Sequence, residues 1–176
     1  GVRPRHPEGD VAAHLFAGLR RYLVEDGRWE AARHRLVARD PDASEWIDAS
    51  VPPDWVKVEH HLALMQALLE LHGVAGLREL GRRRTQHALE SGALSLILRG
   101  WMRSYASAPE HFVRVTPHVW SASTRNLGRL ALVERTPGAF RFRSEGLPTS
   151  VLQATPWHRF LEGFGEGLLF AADREG

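Results

Sequence analysis

The chain has 176 residues, 43% of them apolar and 25% charged, with a formal net charge of +2. Those values describe a globular chain long enough to bury a core, not a disordered one, and the charge is too small to demand a polyanionic partner. Cysteine is absent, which excludes disulfides, thiol nucleophiles and cysteine-held zinc or iron–sulfur clusters.

The expected organisation is a single domain over 1–176, with a helical part from about 10 to 108, a β-hairpin part from about 112 to 146 and a C-terminal helix from about 155 to 172. The opening "GVRPRHPEGD" is too polar for a signal peptide. No apolar run approaches the roughly 18 residues of a membrane span, so a cytoplasmic protein is expected.

"GDVAAHLFAGLRRYLVEDG" offers Asp10 as N-cap, with Val11, Leu15, Leu19 and Tyr22 at helical spacing and Gly27 as the stop. "RWEAARHRLVARDP" repeats the pattern through Trp29, Ala32 and Leu36 and ends at Asp40-Pro41. "SEWIDASVPPDW" reads as a turn-rich connection, because Val51 before two prolines is pushed out of helical geometry. From Asp54 a central helix places Val58, Leu62, Met65 and Leu69 on one stripe, with His61, Leu64, Leu68 and Leu71 adjoining. So wide an apolar face predicts burial on two sides.

Gly73 and Gly76 separate that helix from the next, where Leu77, Leu80, Gly81, Arg84 and Ala88 share a face. "ALSLILRGWMRSYASAP" predicts a further helix carrying Leu94, Leu98, Trp101 and Tyr105. "HFVRVTPHVW" reads as a weak strand interrupted by Pro117. The hairpin follows. Leu130 to Val133 is apolar on both faces, as a central strand would be, and Phe140 and Phe142 alternate with Arg141 and Arg143 across a turn at Pro137-Gly138. The last helix takes Thr155 as N-cap and Pro156 at its first position, with an apolar stripe through Trp157, Phe160 or Leu161, Phe164 and Leu168. The predicted class is α+β: a helical layer of five to six helices on a small antiparallel sheet built around the hairpin, which the central and final helices should cover.

No catalytic residue is nominated. The serines lie in no nucleophile elbow, and no carboxylate pair stands out. The ten histidines invite a metal site, with Asp10/His14, Glu30/His34 and His158/Glu162 at i,i+4, but the three or four convergent ligands that zinc requires are missing from the pattern. No metal and no cofactor are therefore expected. His61 or His72 as haem ligand is the weaker alternative to a core histidine.

Of the 23 basic residues only Lys57 is lysine, which fits the composition of a GC-rich genome before it suggests selected guanidinium forks. Arg78, Arg82, Arg83 and Arg84 form a basic segment that reads as a solvated helix face paired with Glu79 and Glu90; no nucleic-acid-binding pattern accompanies it. Gly163, Gly165 and Gly167 lie inside a helical pattern rather than after a strand, so close approach of another backbone or a ligand explains them better than a nucleotide loop.

The order "DW…LG-R…W…LGRLAL…F-R-F…P…FLEGFGEGLL" resembles a paralogous bacterial family of the myxobacterial type. That family is similar in turn to the ligand-binding fold shared by haem nitric-oxide-binding domains, vinyl-reductase domains of aromatic-responsive regulators and small subunits of the transport-protein-particle tethering complex. The resemblance runs from about residue 10 to 172 and rests on Trp55, Leu80-Gly81-Arg82, Trp120 ahead of Gly128, the hairpin, and Gly163 to Gly167. It implies helices over a small sheet with a hydrophobic cavity between them. The haem branch's Tyr-x-Ser-x-Arg has its nearest counterpart in Tyr105-Ala-Ser107-Ala-Pro109, with proline in place of arginine, and the cysteine ligands of the aromatic-sensing branch are missing.

The resulting expectation is a non-catalytic ligand-binding or sensory domain that takes a small apolar ligand between helices and sheet. His61, Met65, Arg84, Trp101, Tyr105, Trp120 and Phe164 are its candidate lining. The alternative is a protein–protein interaction or scaffolding module, such as a homodimer through the final helix.

Overall fold

A computed structural model describes residues 8–47, 54–90, 109–136 and 139–175. The expected helix bearing Trp101 and Tyr105 lies outside the described residues. Among the described residues, seven helices and five strands in two antiparallel sheets make an α+β fold. None of the described helices is long and apolar enough to cross a membrane.

The strand β1 (Asp10–Ala12) lies between β2 (Trp55–Lys57) and β3 (Thr124–Arg125). Asp10 is therefore a strand residue and not a helix cap, and Trp55 opens a strand and not the central helix. The register sets Asp10 opposite Lys57 on one side and Arg125 on the other, and Val11 opposite Val56 and Thr124. A carboxylate between two cations is a favourable cross-strand arrangement. Gly9 at φ +99° brings the chain into β1; a side chain there would collide with Leu127 Cγ and the Arg125 carbonyl, both at 2.9 Å.

Helix α1 (Ala13–Glu25) buries Phe16, Leu19, Tyr22 and Leu23 and ends where Gly27, at φ +74°, turns the chain. Helix α2 (Trp29–Arg39) buries Trp29, Ala32 and Leu36, as its spacing predicts. The short α3 (Ala43–Ile47) occupies part of the expected turn-rich connection, because Ala43 and Ile47 at i,i+4 give it an apolar edge to bury.

Helix α4 (Val58–Glu90) is the axis of the molecule, and Gly73 breaks it with φ 67° and ψ 178°, a conformation outside the helical region. Its first half buries Val58, His61, Leu64, Met65, Ala67 and Leu68; its second half buries Leu77, Leu80 and Thr85. The wide apolar face is shared among α1, α2, β2 and the final helix, in accord with the expected two-sided burial.

Residues Pro109–Ser123 form helix α5, correcting the strand reading of "HFVRVTPHVW". Its β-branched run and Pro117 argue locally for an extended chain, yet Phe112, Val115, Val119 and Trp120 recur at helical spacing, and Trp120 packs on Trp157. The Ser121 hydroxyl donates to the Pro117 carbonyl at 3.0 Å and the Thr124 hydroxyl to the Trp120 carbonyl at 2.8 Å, which ties off the helix end.

Strands β4 (Arg129–Thr136) and β5 (Ala139–Glu145) form the expected hairpin, with a bulge at Val133. It is a separate two-stranded sheet, and among the described residues β4 lies mainly against α5. Leu132 and Val133 are 40% and 41% exposed, so β4 is not a central strand. After the short α6 (Thr149–Leu152), helix α7 (Thr155–Glu175) buries Trp157 and Phe160 in the same core as α4. Thr155 is already helical in α7, one position beyond the expected cap.

Three glycines hold α4 and α7 together. A methyl group at Gly163 would run into the Arg78 carbonyl, with the Arg78 carbonyl carbon at 2.7 Å and Arg82 N at 3.0 Å. Gly167 faces the Arg82 carbonyl at 2.7 Å, and Gly81 faces the backbone of Phe160 and Phe164. Arg78 meets Gly163 and Arg82 meets Gly167, so the two segments run in the same direction, backbone against backbone.

Candidate functional site

Two of the expected lining residues meet at one place. Arg84, on the second half of α4, reaches across to α1, where its Nη2 donates to the Leu15 carbonyl over a long 3.4 Å. Its guanidinium carbon stands 5.8 Å from the centre of the Phe164 ring on α7. Gly18 makes this crossing feasible, since a side chain there would stand 2.8 Å from Nη2. Burial pulls the Arg84 pKa down to about 10, the direction expected when a cation loses water.

His61 lies on the first half of α4, 7% exposed, and its Nδ1 is buried without a hydrogen-bond partner. Burial first, and the Arg84 charge second, push its pKa down to about 4. It is therefore a neutral imidazole at pH 7, held near a cation. Met65, one turn further on, is fully buried and serves as core.

Trp120 belongs to a different group. It is half-buried on α5, packs against Trp157 with ring centres 5.7 Å apart, and its Nε1 is buried without a partner. Trp101 and Tyr105 fall outside the described residues. The sequence-based lining thus resolves into an Arg84–Phe164 contact, a buried histidine and methionine on the first half of α4, and a separate tryptophan pair.

Among the described residues, surface grooves include two lined largely by charged side chains. One, of about 470 Å³, is lined by Arg78, Glu79, Arg82, Arg159 and Glu166. Its charges are paired: Arg78 binds Glu166, Arg82 and Arg83 bind Glu79 at 2.6 and 2.7 Å, and Arg159 binds Glu162 at 2.8 Å. These pairs hold the Glu79 carboxyl down to about 2. The other groove, of about 850 Å³, lies between α2 and α4, where Arg39 and Arg35 share Glu70.

The histidine pairs predicted from helical spacing are replaced by long-range ones. Asp10 sits in β1 and not on the helix of His14; Glu162 takes Arg159, while His158 contacts the Leu152 carbonyl at 3.2 Å. Instead His60 pairs with Asp40 beside Trp46, and His87 pairs with Glu25 at 2.5 Å. No signal in the sequence links partners 20 or 62 positions apart. Also unforeseen is Arg125, whose guanidinium lies 3.8 Å from the centre of the Trp55 ring.

Among the described residues no group of three or more His, Asp and Glu is placed to hold a metal ion. Among the described residues His61 and His72 do not fit a haem: His61 shares its face with fully buried Leu64, Met65 and Leu68, and neither groove described is lined by His61 or His72. No protein-family model, curated protein or solved structure matches the chain.

Proposed function

We propose that the chain is a non-catalytic recognition domain that binds a partner protein through its hairpin, by addition of a strand to β5. One observation carries this reading: a two-stranded ribbon, separate from the three-stranded sheet, leaves Leu132 and Val133 each about two-fifths exposed. Such ribbons are marginal in water and gain stability from a third strand. The β4 side is occupied by α5 and disrupted by the bulge at Val133, whereas β5 is regular and has no further strand beside it among the described residues.

Charge selects the occupant. Arg141 and Arg143 are exposed on either side of half-buried Phe142; Arg141 is bound by Glu134, and Arg143 has no carboxylate among the described residues. A second copy paired antiparallel about Phe142 would set Arg141 against Arg143, which is repulsive. The fitting partner is an extended segment with acidic residues at alternate positions around an apolar one.

Selection of a peptide-display library on the full chain tests this. Enriched peptides should alternate Asp or Glu with apolar residues, protect the amides of Ala139–Glu145 from hydrogen exchange, and lose at least about tenfold in affinity with Arg143→Glu. Peptides that protect another element, or a chain that dimerises through β5 in light scattering, would overturn it.

The small-ligand reading, and with it the resemblance to a ligand-binding fold, takes its support from Arg84, which lies over Phe164 and reaches only the Leu15 carbonyl. The α4–α7 seam is closed by backbone contact at Gly81, Gly163 and Gly167, so a ligand is to be sought at Arg84 and not between those helices.

A further inference from the structure

Arg35 and Arg39 stand one turn apart on α2, a spacing at which like charges repel. Across the groove between α2 and α4 both guanidinium heads converge on one acceptor: Arg39 binds Oε1 of Glu70, and Arg35 lies 3.6 Å from its Oε2. The Gln66 amide, at 3.5 Å, also leans on Oε1. One carboxylate thus serves two forks. The Arg35 link is longer than a hydrogen bond, so among the described residues its N–H donors have an ion pair but no acceptor. The other groove differs. There Arg82 and Arg83 hold Glu79 at 2.6 and 2.7 Å, and Arg78 and Arg159 each have a glutamate of their own.

The wall beside the two forks is a second observation. Ala31 and Ala38, two turns apart on one face of α2, line the groove together with Leu71 of α4. Their short side chains leave an apolar floor beneath the charged rim. The groove volume of about 850 Å³ lies in the range of small-molecule sites. Its described lining sets Arg35, Arg39 and His34 against Glu70 alone, so the excess charge is positive.

We infer that this groove binds a small organic phosphate monoester, its phosphoryl group held between Arg35 and Arg39 and its body laid on Ala31, Ala38 and Leu71. A phosphoryl group offers three terminal oxygens, enough to meet two forks at once, whereas a carboxylate is matched by one bidentate arginine. Glu70 keeps the two forks converged before the ligand arrives and competes with it afterwards. The site shares no residue with β5, so its failure would leave the hairpin reading untouched, and the reverse also holds.

Calorimetry of the full chain at low salt with phenyl phosphate, benzoate and inorganic phosphate tests the inference. Phenyl phosphate should bind at least about fivefold more tightly than benzoate, which lacks the third oxygen, and than inorganic phosphate, which lacks the body. Arg35→Gln and Arg39→Gln should each weaken it at least about fivefold, and Arg39→Lys, which keeps the charge without the fork, should recover part of that loss. Glu70→Gln removes the competitor and should tighten binding. Arg159→Gln makes the same change of charge in the other groove and should leave affinity within about twofold. No binding of phenyl phosphate, an equal affinity for benzoate or inorganic phosphate, or unchanged binding by Arg35→Gln and Arg39→Gln would each overturn the assignment. An equal loss in Arg159→Gln, or no gain in Glu70→Gln, would do the same. Sedimentation of the chain with phosphatidate vesicles, abolished by Arg35→Gln, would assign these arginines to a lipid surface and overturn it too. If an arginine variant does not fold, the three probes on the wild-type chain and on Glu70→Gln decide the question.

Discussion

Gly163→Ala and Gly165→Ala make the same chemical change two positions apart on α7, and the structure gives them opposite signs. An exposed helical glycine replaced by alanine gains about 1 kcal/mol from backbone propensity. A methyl group at Gly165 meets nothing within 4 Å and should realise that gain. At Gly163 the methyl would stand 2.7 Å from the Arg78 carbonyl carbon, and closer still to its oxygen. Both obstacles are backbone, so relief requires α7 to move off α4 by roughly 1 Å. A gap of that size forfeits a quarter to a half of the dispersion well for the atoms it separates. The buried rings of Trp157 and Phe160 lie in the core that α7 shares with α4. Each such ring is worth about 3–5 kcal/mol against alanine, so the separation costs about 2–4 kcal/mol. After the propensity gain the net loss is about 1–3 kcal/mol, a fall of about 2–12 °C in melting temperature for a chain of this size. Urea unfolding followed by far-ultraviolet circular dichroism measures both variants. A Gly163→Ala chain as stable as wild type, or a Gly165→Ala chain equally damaged, would refute the backbone-contact account of this seam.

Three further outcomes are expected. The His61 pKa lies below its unfolded value of about 6.5, so the unfolded chain takes up the proton first as pH falls; stability contributed by neutral His61 is intact above pH 6.5 and declines towards about pH 4, by up to about 3 kcal/mol. His61→Leu should flatten the stability profile across that window, which urea titrations at stepped pH would detect. Gly73→Ala should cost about 1–3 kcal/mol through strain alone, because φ 67° with ψ 178° disfavours any residue bearing a Cβ and no neighbour lies within 4 Å; chemical denaturation measures this. Glu79→Gln should cost less than about 1 kcal/mol, since the carboxylate is well exposed, and the loss should shrink at high salt and vanish as pH falls through the Glu79 value of about 2.

What the sequence disclosed depended on the length of each signal. Helices α1, α2 and α4 carry several apolar residues at constant spacing, and Gly27 and Gly73 mark real breaks where the backbone turns left-handed. The glycines of α7 announced a close approach before its partner was known, and Arg78 and Arg82 proved to be that partner. The strands β1, β2 and β3 are two or three residues long, too short for any alternation to register, and each abuts a helix whose stronger period absorbs it. Helix α5 was obscured by Pro117 and its valines, which favour extended chain until packing overrides them. At the candidate site, Arg84 and Phe164 could be nominated by residue type, but their meeting arises from the packing of α7 on the second half of α4 and from the crossing of α1 at Gly18. Neither is a local property of the chain.

The three-stranded sheet has a consequence for how the molecule comes together. Its middle ribbon, Asp10–Ala12, draws in one neighbour from about 45 positions onward and another from about 114, so it closes two very large loops with only a handful of ladder bonds. Such a clasp is entropically slow to form and has little to hold it until the helices on both sides are in place. It should therefore be fastened last during refolding. Disturbing those few amides would loosen the start of the chain, the entry to α4 and the exit from α5 at once.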